Sequence, residues 1–173
     1  MIIGVVPDPR SRLGAGKSCF AVWLISVLSE KTGKQIRSNL HLYKTDYDFI
    51  ENYDDLIDLH NSAILIDDIY RAIPAGKMAK AIRYFTGTIR HHNNDLIYTS
   101  SRLIDYVNKS FRLHTNIFAQ VLHDAKTDTI RIAYSDQIGR GIKGFLPNYL
   151  PPEIVREVYN RYDTNEDVNI WSL

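Results

Sequence analysis

Three observations predict an α/β chain, with a mostly parallel β-sheet and helices on both of its faces. Short, wholly apolar runs alternate with amphipathic segments of helical period. The first run passes through a glycine-containing turn into a segment opening with Lys17 and Ser18, and a later run ends in two adjacent carboxylates, Asp67 and Asp68. Toward the C-terminus, two strand-like segments joined by a polar turn predict an antiparallel hairpin.

Taken in order, Ile2 to Val6 is a continuous apolar run, as expected of a strand buried on both faces, and Pro7 and Pro9 end it. From Lys17 to about Lys31, Phe20, Leu24, Val27 and Leu28 form a stripe. Ala21, Val22, Trp23 and Ile25 make that helix apolar nearly all round, so it belongs in the interior, and Gly33 stops it. Ile36 to Tyr43 reads as a strand, Asp54 to His60 as a short helix and Ala63 to Ile66 as a fully apolar strand. After Pro74, Met78, Ile82, Phe85 and Ile89 recur on one helical face, with Lys77, Lys80, Arg83 and Arg90 opposite. Asp95 to Thr99 is the next strand, Leu103 to about Leu113 a helix, and Asn116 to Leu122 a strand. Asp124 to Asp128 turns into Thr129 to Tyr134, forming the hairpin expected at the sheet edge. Pro151 and Pro152 start a last amphipathic helix through Tyr159, followed by a polar tail.

The chain's 173 residues suffice for one sheet with its helices, so a single domain spanning 1–173 is expected. A hydrophobic share of 45% with a net charge of +1 excludes the disordered class and gives no overall attraction to polyanions. Any nucleic-acid contact must therefore come from local basic clusters. Cys19 is the only cysteine, which excludes an internal disulfide framework and fits a reducing, cytoplasmic setting. No signal peptide or membrane-length apolar run is read.

Ser11-Arg12-Leu13-Gly14-Ala15-Gly16-Lys17-Ser18 lies between an apolar strand and a buried helix, the setting required of a phosphate-binding loop. A triphosphate needs several backbone N–H groups converging on it with no side chain in the way. Glycines permit that approach, and the helix N-terminus adds positive potential. Gly14, Ala15, Gly16, Lys17, Ser18 and Cys19 are the expected nucleotide contacts, with Lys17 on the β- and γ-phosphates and Ser18 on Mg²⁺. Ser11 stands where this motif usually begins with glycine. On its own, a Gly-Ala-Gly turn would serve any strand-to-helix link; the flanking strand and helix decide for phosphate.

Carboxylates at the tip of a buried strand are costly unless they meet a cation or water. Asp67 is the expected partner of Mg²⁺ beside Ser18, and Asp68 of the attacking water. Thr99-Ser100-Ser101 ends a later strand, where Ser100 is the expected sensor of the γ-phosphate; ordinary capping of the following helix would use the same residues.

The order of these parts resembles the FtsK–HerA superfamily of DNA-pumping ATPases, in particular small viral genome-packaging ATPases and zonula occludens toxin-like assembly ATPases of filamentous phages. The resemblance is carried by the phosphate loop, Ala63 to Asp68, the helix end Thr88-Ile89-Arg90-His91-His92, and Asp95 to Ser101, and it extends to about Phe118. It implies a ring hexamer that moves double-stranded DNA and supplies an arginine to the neighbouring subunit's γ-phosphate, for which Arg90 is the best match and Arg83, Arg102 and Arg112 are alternatives. It also implies a capsid or virion partner and a place in a host cytoplasm or a virion. Relatives usually carry glutamine where this chain has Ser100, and glutamate where it has Asp68. Two other readings stay open: an ATPase for extruding filamentous particles, and a nucleotide-dependent switch with little turnover.

The six histidines show no pair at metal-ligand spacing, so no zinc is expected. Gly139-Arg140-Gly141-Ile142-Lys143-Gly144 and Lys126 offer positive charge to a phosphate backbone, or are simply a solvated loop and turn. The eleven tyrosines are dispersed, as core or interface residues would be.

Overall fold

The computed structural model describes residues 1–11, 14–72, 84–107, 109–136 and 146–164 of the chain. The first apolar run forms β1 (Ile2–Pro7), which lies inside the sheet between β5 (Asp95–Thr99) and β6 (Ile117–Asp124), parallel to both. Beyond β5 come β4 (Ser62–Ile66), β2 (Gln35–Ser38) and β3 (Tyr47–Phe49), all parallel. Beyond β6, β7 (Thr129–Asp136) and the two-residue β8 (Tyr149–Leu150) pair antiparallel. The eight-stranded order is β3-β2-β4-β5-β1-β6-β7-β8. The expected hairpin is therefore present as β6 and β7, but β8 rather than the hairpin forms that edge.

Strand periodicity sends alternate residues of β1 into two separate cores. Ile3 and Val5, with Ala63, Leu65, Ile97, Ala119 and Val121, face α1 (Lys17–Thr32). On that side Phe20, Leu24 and Leu28 are buried. Ile2 and Val6, with Ile64, Ile66, Leu96, Tyr98 and Phe118, pack on the opposite face against α2 (Ile69–Ala72), α3 (84–88) and α4 (Lys109–His114). Phe85 and Ile89 from the predicted amphipathic helix lie in this second core, whereas Lys77, Met78, Lys80, Ile82 and Arg83 are outside the described residues.

The nearly all-round apolar character of α1 has its reason in α5 (Pro152–Tyr159), which packs against both α1 and β7 and buries Val155 and Val158 in the same core. Burying a side chain such as Leu24 contributes roughly 1.5–3 kcal/mol, and α1 has apolar neighbours on both sides for it.

Four expectations are corrected. The strand expected over Ile36 to Tyr43 stops at Ser38, whose hydroxyl accepts from the Leu40 N–H (3.0 Å) and donates to the Leu40 carbonyl (2.8 Å), turning the chain. The helix expected from Asp54 to His60 is one 3₁₀ turn, Asp54–Leu56. The helix expected from Leu103 is broken into a 3₁₀ turn, Ile104–Tyr106, and α4, because Val107 between them is extended and its side chain fills the second core. The polar tail does not simply trail away after Tyr159: Tyr162 forms an antiparallel bridge with Leu42, and the Tyr43 N–H donates to the Arg161 carbonyl at 2.6 Å.

Candidate nucleotide site

The exit of β1 is tied down before the loop begins. The Asp8 N–H donates to the Val121 carbonyl at 2.9 Å, extending the β1–β6 alignment. The Ser11 N–H and hydroxyl both donate to the Asp8 carbonyl, at 2.9 and 2.8 Å, and Arg10 closes on the Asp8 carboxylate at 2.9 Å. Ser11, the departure from the usual first glycine, thus closes a turn with its own hydroxyl. Arg12 and Leu13 lie outside the described residues.

Gly14 and Gly16 have φ of +85° and +80°, the left-handed region that glycine enters without strain. Gly16 caps α1, its carbonyl accepting the first helical bond from the Phe20 N–H at 3.0 Å. Gly16 also needs to be small. A Cβ there would stand 2.8 Å from Ile130 Cδ1, because β7 packs against the loop. Neither Gly14 nor Gly16 puts a side chain of its own over the start of α1, whose first amides lack helical acceptors, the arrangement that accepts anions.

Asp67 follows β4 and is buried beside this helix start. Asn39 pins its backbone, the side-chain oxygen accepting the Asp67 N–H (2.7 Å) and the amide donating to the Asp67 carbonyl (3.1 Å). The Thr99 hydroxyl donates to Asp67 Oδ1 at 2.8 Å and accepts the Asp68 N–H at 2.8 Å. Burial pushes the Asp67 carboxyl up. Hydrogen bonds from the Thr99 and Ser18 hydroxyls oppose that, the neighbouring Asp68 charge adds to it, and Lys17 counters it. Asp67 is thus a carboxylate in a setting that disfavours its charge, with a hard hydroxyl ligand, Ser18, in contact. Such an oxygen set fits a divalent cation of the Mg²⁺ type.

Asp68 has φ of +41°, strained for a residue with a side chain, and its Oδ1 is buried with no hydrogen-bond partner among the described residues. Strain and an unsatisfied oxygen together are the marks of a group held for a ligand or for water. Ser100 is placed differently. It is fully buried, its N–H donates to the Val5 carbonyl (2.9 Å), and its hydroxyl takes the Arg102 N–H (3.0 Å) in a local turn. At this end of β5 the side chain that reaches Asp67 is that of its neighbour, Thr99.

Cys19 is buried with its sulfur 3.9 Å from the Val155 carbonyl, and burial pushes its thiol up to about 12, with the Asp128 charge adding to the effect. Only its backbone N–H is left for a ligand. Arg90 is exposed at the opposite, amino edge of the sheet, where it lines a cavity of about 440 Å³ with Ile2, Thr86, His114 and Asn116. The length of β1, roughly 20 Å at ~3.3 Å per residue, separates that edge from the phosphate loop. Nearby, His92 stacks on His60 with centroids 4.0 Å apart, so one of the paired histidines has a packing role. The Arg102 guanidinium lies 4.6 Å over the Tyr70 ring. The 139–144 basic segment lies outside the described residues, and Lys126 is exposed at the β6–β7 turn.

Sequence reasoning chose Ser100 rather than Thr99 within the Thr99-Ser100-Ser101 sensor position, and missed Asn39 and the aromatic cover of the loop. A cavity of about 250 Å³ is walled by residues 14–18 on one side and by Tyr159, Tyr162 and Thr164 on the other. Thr99 had a signal, since it ends β5 beside β4 as Asp67 ends β4's run. Asn39 and the tyrosines had none that is local.

With the sheet order, the glycine-bounded helix start and the paired carboxylates at the carboxyl edge, the chain has the fold of the P-loop NTPases. Solved structures share it: the genome-packaging NTPase B204 of Sulfolobus turreted icosahedral virus 2, in complex with AMP, is 14% identical over 76% of this chain and 95% of that one, with a TM-score of 0.52. The same protein with ATP-gammaS gives a TM-score of 0.53 at 14% identity and the same coverage. The N-terminal domain of zonular occludens toxin from Neisseria meningitidis is 13% identical over 94% of this chain and 98% of that one, with a TM-score of 0.54. These are the two kinds of protein that the order of sequence motifs resembles. No family model matches the sequence, and no curated protein matches it. No helix among the described residues is long and apolar enough to cross a membrane.

Proposed function

We propose that this chain is a single-domain ATPase that drives double-stranded DNA as a ring oligomer, in viral genome packaging, in a host cytoplasm or as part of a virion. The observation that carries the reading is the meeting of Ser18 and Thr99 on the buried Asp67 carboxylate, one residue from the amides that open α1. Backbone N–H groups of residues 14–19 bind the phosphates, and Lys17 neutralises charge on the β- and γ-phosphates. Ser18 and Asp67 hold Mg²⁺, which when bound draws negative charge off the transferring phosphoryl group. Thr99 orients Asp67 and, through the Asp68 N–H, fixes where Asp68 stands. Asp68 accepts a hydrogen bond from the attacking water and aims it in line with the γ-phosphate. The position of Arg90 at the far edge supports a role toward a neighbouring subunit's nucleotide, since it is too distant to serve its own.

A second reading, a switch that binds ATP with little turnover, is supported by the engagement of the Ser100 hydroxyl in a turn, away from Asp67. Zonular occludens toxin's likeness over nearly the whole chain supports a third, an ATPase for filamentous phage extrusion. Steady-state ATPase assays with and without double-stranded DNA separate motor from switch. DNA-stimulated turnover that Lys17→Ala abolishes is the expected result. Tight ATP binding without turnover favours the switch, and no binding of ATP or GTP with Mg²⁺ present overturns both.

A further inference from the structure

The cover over the phosphate loop is built rather than incidental. Val155 and Val158 of α5 are buried against α1, which places Tyr159 at the loop. The chain then crosses to the β2 side of α1, where the Tyr162–Leu42 bridge and the 2.6 Å bond from the Tyr43 N–H to the Arg161 carbonyl anchor it. Tyr159 and Tyr162 are thus held at both ends of a short strap, with ring centroids 6.1 Å apart and planes at 36°. His123 supports Tyr159 edge-on at 6.4 Å.

The two ends of a nucleotide seated here have different surroundings. Ser18 and Asp67 meet on the sheet side of the helix start, which is the terminal-phosphate side on the reading proposed above. The cavity walled by residues 14–18 also takes in the two phenol rings and Thr164; Tyr162 is buried and near enough to Asp67 to feel its charge, whereas Tyr159, at the α5 end of the strap, is half-buried. Phosphate has no use for aromatic faces, whereas a nucleobase stacks on them, and a phenol offers a polar tip beside its apolar ring.

We propose that Tyr159, backed by the buried Tyr162, forms the nucleobase wall of the site and packs on the base, so that the C-terminal strap is part of the nucleotide-binding surface. This rests on residues 14–18 holding phosphates. The strap distinguishes a nucleotide from bare polyphosphate.

Calorimetry with ATP and with inorganic tripolyphosphate, each with Mg²⁺, tests it on the full chain and on Tyr159→Ala and Tyr159→Phe. Tyr159→Ala is expected to weaken ATP binding roughly 5- to 150-fold, the range that alanine substitution of a base-stacking ring produces. It should leave tripolyphosphate binding unchanged, which also reports that the variant is folded, and Tyr159→Phe should bind ATP as the parent does. Equal weakening of both ligands, no change in either, or tighter ATP binding by the alanine variant overturns the assignment, the last because the strap would then be a plug. If the parent binds tripolyphosphate but gains nothing from the nucleoside, the base wall alone is overturned. If the parent binds neither ligand, the phosphate-loop reading fails and takes this one with it.

Discussion

Gly14 and Gly16 share a left-handed backbone, yet replacing them by alanine should have unequal consequences. At Gly14 a Cβ meets nothing within 4 Å, so Gly14→Ala carries only the left-handed strain of an L-residue, about 1–2 kcal/mol. At Gly16 the same strain is joined by contacts of 2.8 Å to Ile130 Cδ1 and 3.0 Å to Cγ1. Overpacking of that kind adds about 1–3 kcal/mol, bringing Gly16→Ala to roughly 2–5 kcal/mol. Because the nearest atom is Cδ1, Ile130→Val removes the worst clash, at its own cost of about 0.5–1.5 kcal/mol. The double variant should then be more stable than the sum of the single effects by about 1 kcal/mol, beyond the ~0.3–0.5 kcal/mol within which independent sites add. Urea denaturation of the four proteins without nucleotide measures the cycle, provided the slopes agree. Equal losses for Gly14→Ala and Gly16→Ala, or strict additivity with Ile130→Val, would refute the claim that β7 sets the loop's size limit.

Asp67→Asn should raise the thermal midpoint of nucleotide-free protein while abolishing ATP hydrolysis. Its folded pKa lies above the unfolded value, so burial of the charge costs nothing below the unfolded pKa and its full amount above the folded one. The gain from asparagine should therefore be present at neutral pH and shrink toward pH ~4; a variant less stable than the parent at neutral pH contradicts this. Thr99→Val removes both the donor to Asp67 and the acceptor for the Asp68 N–H, and should cost about 1–3 kcal/mol in denaturation, with ATPase activity falling in the same protein. Lys34 and Asp95 form a buried ion pair at 2.7 Å, and Lys34→Met should destabilise by about 1–3 kcal/mol, measured the same way, because one Asp95 oxygen loses its partner while the Met1 N-terminal ammonium, 2.7 Å from the other, still holds the carboxylate. Arg90→Ala and Lys17→Ala proteins, each inactive, should recover partial ATPase activity when mixed if Arg90 acts across a subunit boundary; strictly additive inactivity would count against that role.

Much of the site was legible because its signals are local. The phosphate loop is a stretch of adjacent residues between a strand and a helix, and both boundaries come from side-chain types that act within a few positions. Asp95 to Thr99 is a strand at its expected bounds, and α5 starts at its proline and ends at Tyr159 as read. Apolar runs likewise marked strands with two buried faces, since no exposed face is present to dilute them.

Other features depend on residues far apart in the chain. Three-residue β3 has no apolar pattern of its own and exists because β2 offers it an edge. Leu103 to Leu113 carries a helical period, but Val107 gains more by filling the second core in extended form than by continuing a helix. Thr99 rather than Ser100 reaches Asp67 because the β4–β5 register sets Ile66 opposite Tyr98 and brings the next residues of both strands together. Asn39 and the strap tyrosines lie 28 residues before Asp67 and at the far C-terminal end, and meet the loop only when β2 and α5 pack around α1. Local periodicity and turn chemistry thus specify which residues form the glycine-bounded loop between β1 and α1. Which polar and aromatic groups surround that loop is set by strand register and helix packing, because the free energy deciding them comes from contacts between distant segments.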